Sequence, residues 1–237
     1  MAFKLTRGAF GVLALGWVFL ALPAIAQDAS KNLAPGFKER PAASRLIIVP
    51  ADIELFSISA GGVPEPKADW TETAGNNFKA ALAASKAQLG ANVQQLELAD
   101  LDELHEISAL HGAVAQAIVL HHIPGFIKLP TKNGNLDWSM GDAVKPIKAR
   151  TGADYVLFTW IRDSYASPER KAAMVAMAIL GVGLAGGQQV GYASLVDLND
   201  GRVVWFNDLR RVTGDLREAK PAQETVEALL KGFPAAR

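Results

Sequence analysis

The sequence contains no cysteine, and this absence excludes several kinds of protein. Without a thiol the chain has no disulfide bond, no thiolate metal site, no cysteine nucleophile and no lipid-modified N-terminal cysteine. An exported protein of this composition depends on its hydrophobic core alone for stability. The 237 residues are enough for one domain with a sizeable core.

An excess of charge of either sign is also lacking. The chain has 24 basic and 24 acidic residues, and no long block of like charges interrupts the sequence. Proteins that bind nucleic acid carry a basic patch, and proteins attracted to anionic lipid carry a polybasic segment. The sequence therefore predicts no nucleic-acid partner and no electrostatic attachment to lipid headgroups.

The common catalytic motifs are missing as well. The sequence has no G-x-S-x-G nucleophile elbow, no Ser-x-x-Lys pair and no phosphate-binding loop. These motifs mark many nucleophilic and phosphoryl-transfer enzymes. We therefore expect a non-catalytic protein, and the sequence points to no catalytic residue, cofactor or metal ligand.

What the sequence does have is a clear N-terminal export pattern. Lys4 and Arg7 precede an apolar run that ends near Leu22, and small residues follow at positions 24–26. This order is typical of a secretory signal peptide, and the run is shorter than the roughly 20 apolar residues of a membrane-spanning helix. We predict that residues 1–26 are removed during export by the general secretory route to the periplasm. Retention of this segment as an N-terminal anchor is the alternative.

Residues 27–44 have a different composition from the rest of the chain. They mix polar residues with Pro35, Gly36 and Pro41 and show no hydrophobic period. Such composition is typical of a flexible linker. We therefore predict a linker over 27–44 and a single folded domain over 45–237.

The domain alternates strand-like and helix-like hydrophobic patterns. Residues Tyr155–Ile161 form an apolar run with little polar alternation, which is typical of a central strand covered on both faces. Asp200-Gly201 separates two further strand-like runs and predicts a hairpin, and a helical pattern that ends at Gly232 follows. The order of elements predicts one layered α/β domain: a mixed β-sheet with helices packed on it, and a C-terminal β-hairpin followed by a helix.

Two acidic patterns predict helix starts. Asp69 and Glu72 are three residues apart, as are Asp100 and Glu103, and each pair precedes an apolar helical stripe. This spacing resembles a capping box, in which the first side chain accepts a hydrogen bond from the backbone of the helix.

An apolar, glycine-rich insert at 170–191 separates two predicted strands. It contains a literal G-x-G-x-x-G at 181–186, but the residues that follow predict a strand and not the helix that a dinucleotide site requires. Glycines at positions 183, 187 and 191 repeat at a spacing of four, which permits close backbone packing if the segment is helical. A buried helix, a self-association surface and a membrane-touching element remain open for the insert.

We favour an interaction role for the insert, because exposed apolar patches of this size mark contact sites. The candidate interaction residues are Met174, Met177, Ile179, Leu180, Gly183, Leu184, Gly187 and Gly191.

The four histidines are His105, His111, His121 and His122. A zinc-protease helix needs two histidines four residues apart, and no pair here has that spacing. The sequence therefore predicts no metal site. The alternative is an exported hydrolase, or a protein that binds a small ligand or metal, with a site at His121-His122 and the loop that follows.

Two stretches resemble a known group of proteins. They are Ala153–Phe158 (ADYVLF) and Ser194–Trp205 (SLVDLNDGRVVW). Similar sequences occur in the curli-transport (CsgG-like) superfamily, which includes outer-membrane lipoproteins and activators of cell-wall synthases. The resemblance follows the order of elements from about Arg45 to Phe233. It implies a cell-envelope protein that acts through binding and assembly and not through catalysis. From the signal peptide, the missing catalytic motifs and the apolar insert, we expect envelope proteins or copies of itself as partners, and peripheral membrane contact.

The chain departs from that superfamily in two respects. Its relatives are generally lipidated at an N-terminal cysteine, which is missing here. In the curli channel the corresponding insert supplies membrane-crossing hairpins, whereas Ala172–Gly187 lacks the alternating polar residues of barrel strands.

Overall fold

A computed structural model describes residues 31–96, 104–123 and 127–237 of the chain. The predicted signal peptide, residues 1–26, and the predicted helix start at Asp100–Glu103 lie outside the described residues. Within these ranges the protein is a single α/β domain in which helices pack on a seven-stranded sheet.

Seven strands form one mixed sheet. They are β1 (Leu46–Ile48), β2 (Asp52–Ile58), β3 (Pro64–Pro66), β4 (Val93–Gln95), β5 (Tyr155–Ala166), β6 (Gln189–Asp197) and β7 (Val203–Arg211). The α-helices are α1 (Ala68–Ala84), α2 (Lys86–Leu89), α3 (His105–His121), α4 (Lys145–Thr151), α5 (Pro168–Ile179) and α6 (Ala219–Leu229). Short 3₁₀ helices span Pro130–Lys132 and Gly141–Val144.

Strand β5 is the centre of the sheet. One of its edges pairs in parallel with β1 and, further along, with β2, while the other edge pairs antiparallel with β6. β4 extends the sheet beyond β1, β3 beyond β2, and β7 beyond β6. Strands border β5 on both sides, and helices cover its first half on both faces. This cover explains why the residues of that half are almost all apolar. The predicted central strand and the mixed α/β sheet are confirmed.

Each face of the sheet has its own hydrophobic core. On one face α1 and α6 pack on Leu157 and Trp205. Phe78 of α1 is fully buried in this core. On the other face α3 and α4 pack on Phe158 and Phe206. The side chains of neighbouring residues in a strand point to opposite faces, so that of Leu157 lies in the first core and that of Phe158 in the second.

The C-terminal hairpin and helix form as predicted. Gly201 lies in the turn between β6 and β7 with φ 75°, and a Cβ at this position would lie 2.2 Å from the carbonyl oxygen of Gly141. Only glycine fits there, because both the backbone conformation and the close approach exclude a side chain. α6 follows the hairpin, and Gly232 with φ 74° lies just beyond its end.

The helix predicted to start near Asp69 forms, but the capping box predicted there is absent. α1 begins at Ala68 with Lys67 at the N-cap position, and no side chain caps it. Asp69 instead lies in the first turn, where its negative charge interacts favourably with the positive end of the helix dipole. Thr71 is occupied elsewhere, because its Oγ1 accepts a hydrogen bond of 2.9 Å from the backbone of Leu55 in β2.

The flexible linker predicted over 27–44 is also wrong from Asn32 onward. The backbone of Ala34 donates a hydrogen bond to Val204 of β7, and the backbone of Phe206 donates one to Asn32. The segment therefore covers part of the outer edge of β7. Such edge pairing depends on the backbone and leaves little hydrophobic pattern in the sequence.

Arg40 fixes the end of this segment against the C-terminus. Its side chain is 1% exposed, and it donates hydrogen bonds to the carbonyl oxygens of Leu89 (2.5 Å) and Pro234 (3.1 Å). The guanidinium also lies 5.0 Å from the ring centre of Phe233. A buried guanidinium is tolerated because its donors are used.

Replacement of Arg40 by methionine tests this anchor. The variant keeps an apolar stem but leaves two buried carbonyl groups without their donor, so we expect a loss on the order of 3 kcal/mol in the free energy of unfolding. Urea denaturation of the mature chain measures it. Lys38→Met is the matched control on the exposed side of the same segment, with an expected change below about 0.5 kcal/mol. Equal stability of both variants would contradict the anchoring role.

Candidate functional site: an exposed apolar arm

The connection between β5 and β6 projects from the domain, and we call residues 167–188 the arm. It consists of α5 and the loop that returns to β6. The helix begins where the sequence supplies a cap: the Ser167 hydroxyl accepts a hydrogen bond of 3.1 Å from the backbone of Arg170, and Pro168 occupies the first turn. It ends at Ile179, and Gly181 follows with φ 77°.

Hydrogen bonds close the base of the arm. The Ser164 backbone and hydroxyl both donate to the carbonyl oxygen of Gln188 at 3.1 Å, and the Gln188 backbone lies 3.0 Å from the same hydroxyl oxygen. The guanidinium of Arg170 donates to the carbonyls of Ala185 and of Ala60 in the turn between β2 and β3. The arm is therefore fixed at both ends and to a neighbouring turn.

Gly187 makes this closure sterically possible. Its φ is 143°, and a Cβ at this position would lie 2.0 Å from the carbonyl oxygen of Ser164. Every other residue would collide with that backbone. Gly187 is thus required by the geometry of the base of the arm.

A buried polar network lies directly below the base. The side-chain amide of Gln189 and the hydroxyl of Tyr165 donate to the same carboxylate oxygen of Asp163, at 2.6 and 2.5 Å. Arg211 of β7 donates in turn to Gln189 at 2.7 Å. Burial raises the pKa of Asp163, and the hydrogen bonds from Tyr165 and Gln189 oppose that rise. The network joins β5, β6 and β7 at the end of the sheet from which the arm projects.

The arm itself is exposed. No residue of α5 is buried, although nine of its twelve residues are uncharged. The exposed fractions are 65% for Val175, 82% for Ile179, 73% for Leu180 and 43% for Val182. Contiguous apolar surface of this kind marks contact sites in proteins. Within the described ranges, no helix has both the length and the apolar character to cross a membrane.

The candidate interaction residues fall into three groups. Ile179, Leu180 and Gly183 are exposed. Met174, Met177, Leu184 and Gly187 are half-buried, with Met174 turned toward the return loop at Gly186. Gly191 is buried.

Gly191 lies within β6, where a Cβ would stand 2.7 Å from the carbonyl oxygen of Trp160. It is therefore a packing position of the sheet and not part of an exposed surface. The condition for close packing through Gly183, Gly187 and Gly191 is not met, because the helix ends before all three. Gly183 lies in the return loop, Gly187 closes the base of the arm and Gly191 lies in strand β6. Their regular spacing therefore has no common structural cause.

Sequence reasoning missed Val175 and Val182. Val175 lies four residues before Ile179, so the two share a helix face. That spacing was the available signal. Glycines outside a helix report turns and close approaches rather than a packing face.

The G-x-G-x-x-G at 181–186 lies in the return loop and is followed by strand β6. The strand agrees with the expectation from sequence. A dinucleotide site of this type requires a helix whose first amides face the phosphates, and the loop does not lead into one.

The histidines do not converge. His121 Nδ1 lies 2.7 Å from the carbonyl oxygen of Ile127, and His122 Nε2 lies 2.7 Å from that of Lys31. The two rings thus bind carbonyls in different segments. Among the residues that the structure describes, no group of three His, Asp or Glu side chains is arranged to hold a metal ion.

His111 belongs to the core under α3. Its ring stacks on Phe158 with 4.0 Å between ring centres and is 4% exposed. Burial lowers its pKa to about 3, because the charged ring would lose its hydration. His111 is therefore a neutral packing residue at physiological pH.

No protein-family model and no curated protein matches the chain. Solved structures with a similar fold include a PelC dodecamer from Paraburkholderia phytofirmans, at 15% identity and TM-score 0.40 over 84% of this chain and 95% of that chain. Lipoprotein GNA1162 from Neisseria meningitidis is similar at 14% identity and TM-score 0.32, over 79% and 96% of the two chains. The LpoB C-terminal domain from Salmonella enterica is similar at 12% identity and TM-score 0.29, over 78% and 96%. Likenesses this distant carry no argument about function.

Gly187→Ala tests the closure of the arm. The added methyl group meets the Ser164 carbonyl in a backbone conformation that alanine rarely adopts, so we expect a loss of about 2 kcal/mol or more in the free energy of unfolding. Gly183→Ala is the matched control, because nothing lies within 4 Å of its Cβ position. Urea denaturation measures both. A neutral Gly187→Ala variant would contradict the tight closure.

His111 should make stability depend on pH. Its pKa in the folded protein is about 3, below the value of about 6.5 in the unfolded chain, so only the unfolded chain takes up the proton between these values. The contribution is complete above pH 6.5 and is lost as pH falls, by about 1.4 kcal/mol per pH unit.

The measurement compares wild type with His111→Leu by urea denaturation at pH 7 and pH 5. We expect wild type to lose about 2 kcal/mol relative to the variant over this interval. Asp163 and the other carboxyl groups are common to both proteins, so their effects cancel in the comparison. A difference that does not change with pH would show that His111 is not held neutral.

Proposed function

We propose that this chain is an exported, non-catalytic protein of the cell envelope that acts through non-covalent contacts made by the arm. One observation carries the proposal: α5 buries none of its residues, although its base is closed by the hydrogen bonds of Ser164 and Arg170. A helix that served only the fold would turn its apolar side chains toward the core.

The energy available to such a contact is substantial. Complete burial of a Val, Leu or Ile side chain contributes about 1.5–3 kcal/mol, and Val175, Ile179 and Leu180 are all more than half exposed. A partner that covers them gains several kcal/mol by the same estimate. Because the base of the arm is already ordered, less conformational entropy is lost on binding.

The location in the envelope rests on the sequence. The predicted signal peptide at 1–26 supports export, and the absence of cysteine is compatible with an oxidising compartment without requiring disulfide bonds. The resemblance of Ala153–Phe158 and Ser194–Trp205 to the curli-transport superfamily supports the same placement.

The alternative, an exported hydrolase or a small-ligand or metal-binding protein at His121-His122, has less support. The two rings are bound to the carbonyls of Ile127 and Lys31, in separate segments. His111, the third histidine near them in sequence, is enclosed against Phe158.

The test replaces Val175, Ile179 and Leu180 together by serine in the full chain, which is expressed in the organism that naturally produces it. Native gel electrophoresis of mild envelope extracts then reports the size of the complex that contains the protein. We expect wild type to migrate as a complex larger than one chain, and the triple-serine variant to migrate as a single chain. The variant should keep the stability of wild type, since exposed substitutions change it little.

The matched control places three serines at other exposed apolar positions, Val63, Leu120 and Ile127. This control should keep the complex. If the arm variant and wild type give complexes of the same size, or if wild type itself migrates as a single chain, the proposed function is wrong.

A further inference from the structure

We infer that the protein binds a small uncharged amphiphile in a cavity between α1 and the ends of β1 and β4. The ligand has an apolar part of about a dozen carbon atoms and a neutral polar end, such as a hydroxyl or a carbonyl group. This site is separate from the arm, and the inference does not depend on the proposed contact function.

The cavity has a volume of about 300 Å³ and lies where two parallel strands end. Ile48 and Gln95 are the last residues of β1 and β4, and they are paired in the sheet. Both line the cavity, and α1 borders it on the side of the first hydrophobic core. Open α/β sheets bind their ligands in the crevice outside the carboxyl ends of their parallel strands. The cavity therefore occupies the place where such sheets hold small molecules.

Most of the cavity wall is apolar. Phe78 and Leu82 of α1 are 1% and 4% exposed, and both line the cavity together with Ile48 of β1. Pro50, in the link between β1 and β2, lines it as well and has no backbone N–H group. An apolar ligand can therefore leave water for this wall without separating a buried polar group from its partner.

Gly75 of α1 leaves part of this space empty. It lies in the interior of a 17-residue helix, where glycine is less favourable than alanine. Nothing lies within 4 Å of the position that its Cβ would take, and its φ is not positive. Neither close packing nor backbone conformation in the described structure calls for a glycine there. The missing side chain instead widens the cavity, which Gly75 lines.

The polar groups at the cavity favour a neutral ligand end. Asn76 of α1 and Gln95 of β4 both line it, and within the described ranges neither side chain makes a hydrogen bond. An amide donates and accepts, so it suits a hydroxyl or a carbonyl group. Glu72 and Lys79 also line the cavity and carry opposite charges, so the site has no net charge that would attract an ionised end.

The volume of the cavity limits the kind of ligand. An apolar cavity of roughly 150 Å³ holds one benzene molecule, so a cavity twice as large holds about a dozen carbon atoms. One turn of a partner helix, about 10 Å wide and about 5.4 Å long, needs more space than this. The site therefore suits a small molecule and excludes a helix of another protein.

Fluorescence titration of the purified mature chain tests the site. The reporter is 1-aminoanthracene, an uncharged aromatic amine of about the expected size whose emission rises on transfer from water to an apolar site. We expect a saturable rise in emission with about one molecule bound per chain. 1-Decanol should displace the reporter at a concentration at least about tenfold lower than decanoate or decylammonium, because both ions would lose hydration beside uncharged amides.

The variant Gly75→Leu fills the cavity and should weaken binding of the reporter by about tenfold or more. Gly112→Leu is the matched control, because Gly112 is also a half-buried glycine inside a helix with nothing within 4 Å of its Cβ position, but it does not line the cavity. It should bind the reporter within about twofold of wild type. Gly75→Ala is the smaller change for the case that the leucine variant does not fold, and it should weaken binding by about threefold.

The apolar residues of the arm are a second place where the reporter could bind, so the triple-serine variant of Val175, Ile179 and Leu180 is titrated as well. It should keep the binding of wild type. Loss of binding in this variant, or equal loss in the Gly75 and Gly112 variants, would overturn the inference. No rise in emission with wild type would also overturn it, and equal displacement by the three decyl compounds would overturn the neutral polar end.

Discussion

The position of β5 between strands on both edges is the constraint on which the rest of the structure depends. Its first half, through Ile161, is enclosed by neighbouring strands and by helices on both faces, and its side chains there are apolar apart from the buried Thr159. Its second half, from Arg162 onward, carries mostly polar side chains. Asp163 and Ser164 belong to this second half, and both are used to hold the structure that follows: Asp163 in the network with Gln189, and Ser164 in the closure with Gln188.

The arm depends on that polar second half. Its two ends leave adjacent strands of an antiparallel pair, so they are already close, and the positive φ of Gly187 brings the returning backbone against Ser164. A helix attached in this way presents its surface without being buried by the domain that carries it. Free energy from the two cores stabilises the fold, while the exposed side chains of Val175 and Ile179 contribute only when something covers them.

Much of the fold could be predicted from the sequence because local patterns and tertiary environment agree there. The apolar run at Tyr155–Ile161 is a property of a strand buried on both faces, and Asp200-Gly201 is a property of a tight turn. Other elements could not be predicted for definite physical reasons. The cap expected at Asp69 does not form because the helix begins one residue earlier, at Ala68, which places Asp69 inside the first turn. The segment around Arg40 is ordered by carbonyl groups of Leu89 and Pro234, far away in the sequence, which no local pattern reveals.

The sequence by itself determined that the chain carries an export pattern, that it has no thiol chemistry, and that one uncharged apolar segment interrupts an alternation of strands and helices. Whether that segment is buried or exposed was decided only by the tertiary structure. Hydrophobic composition is the same in a core helix and in a contact helix, and the difference lies in which surfaces the rest of the chain leaves to cover it. Here α1, α3, α4 and α6 cover the sheet, and α5 lies beyond them.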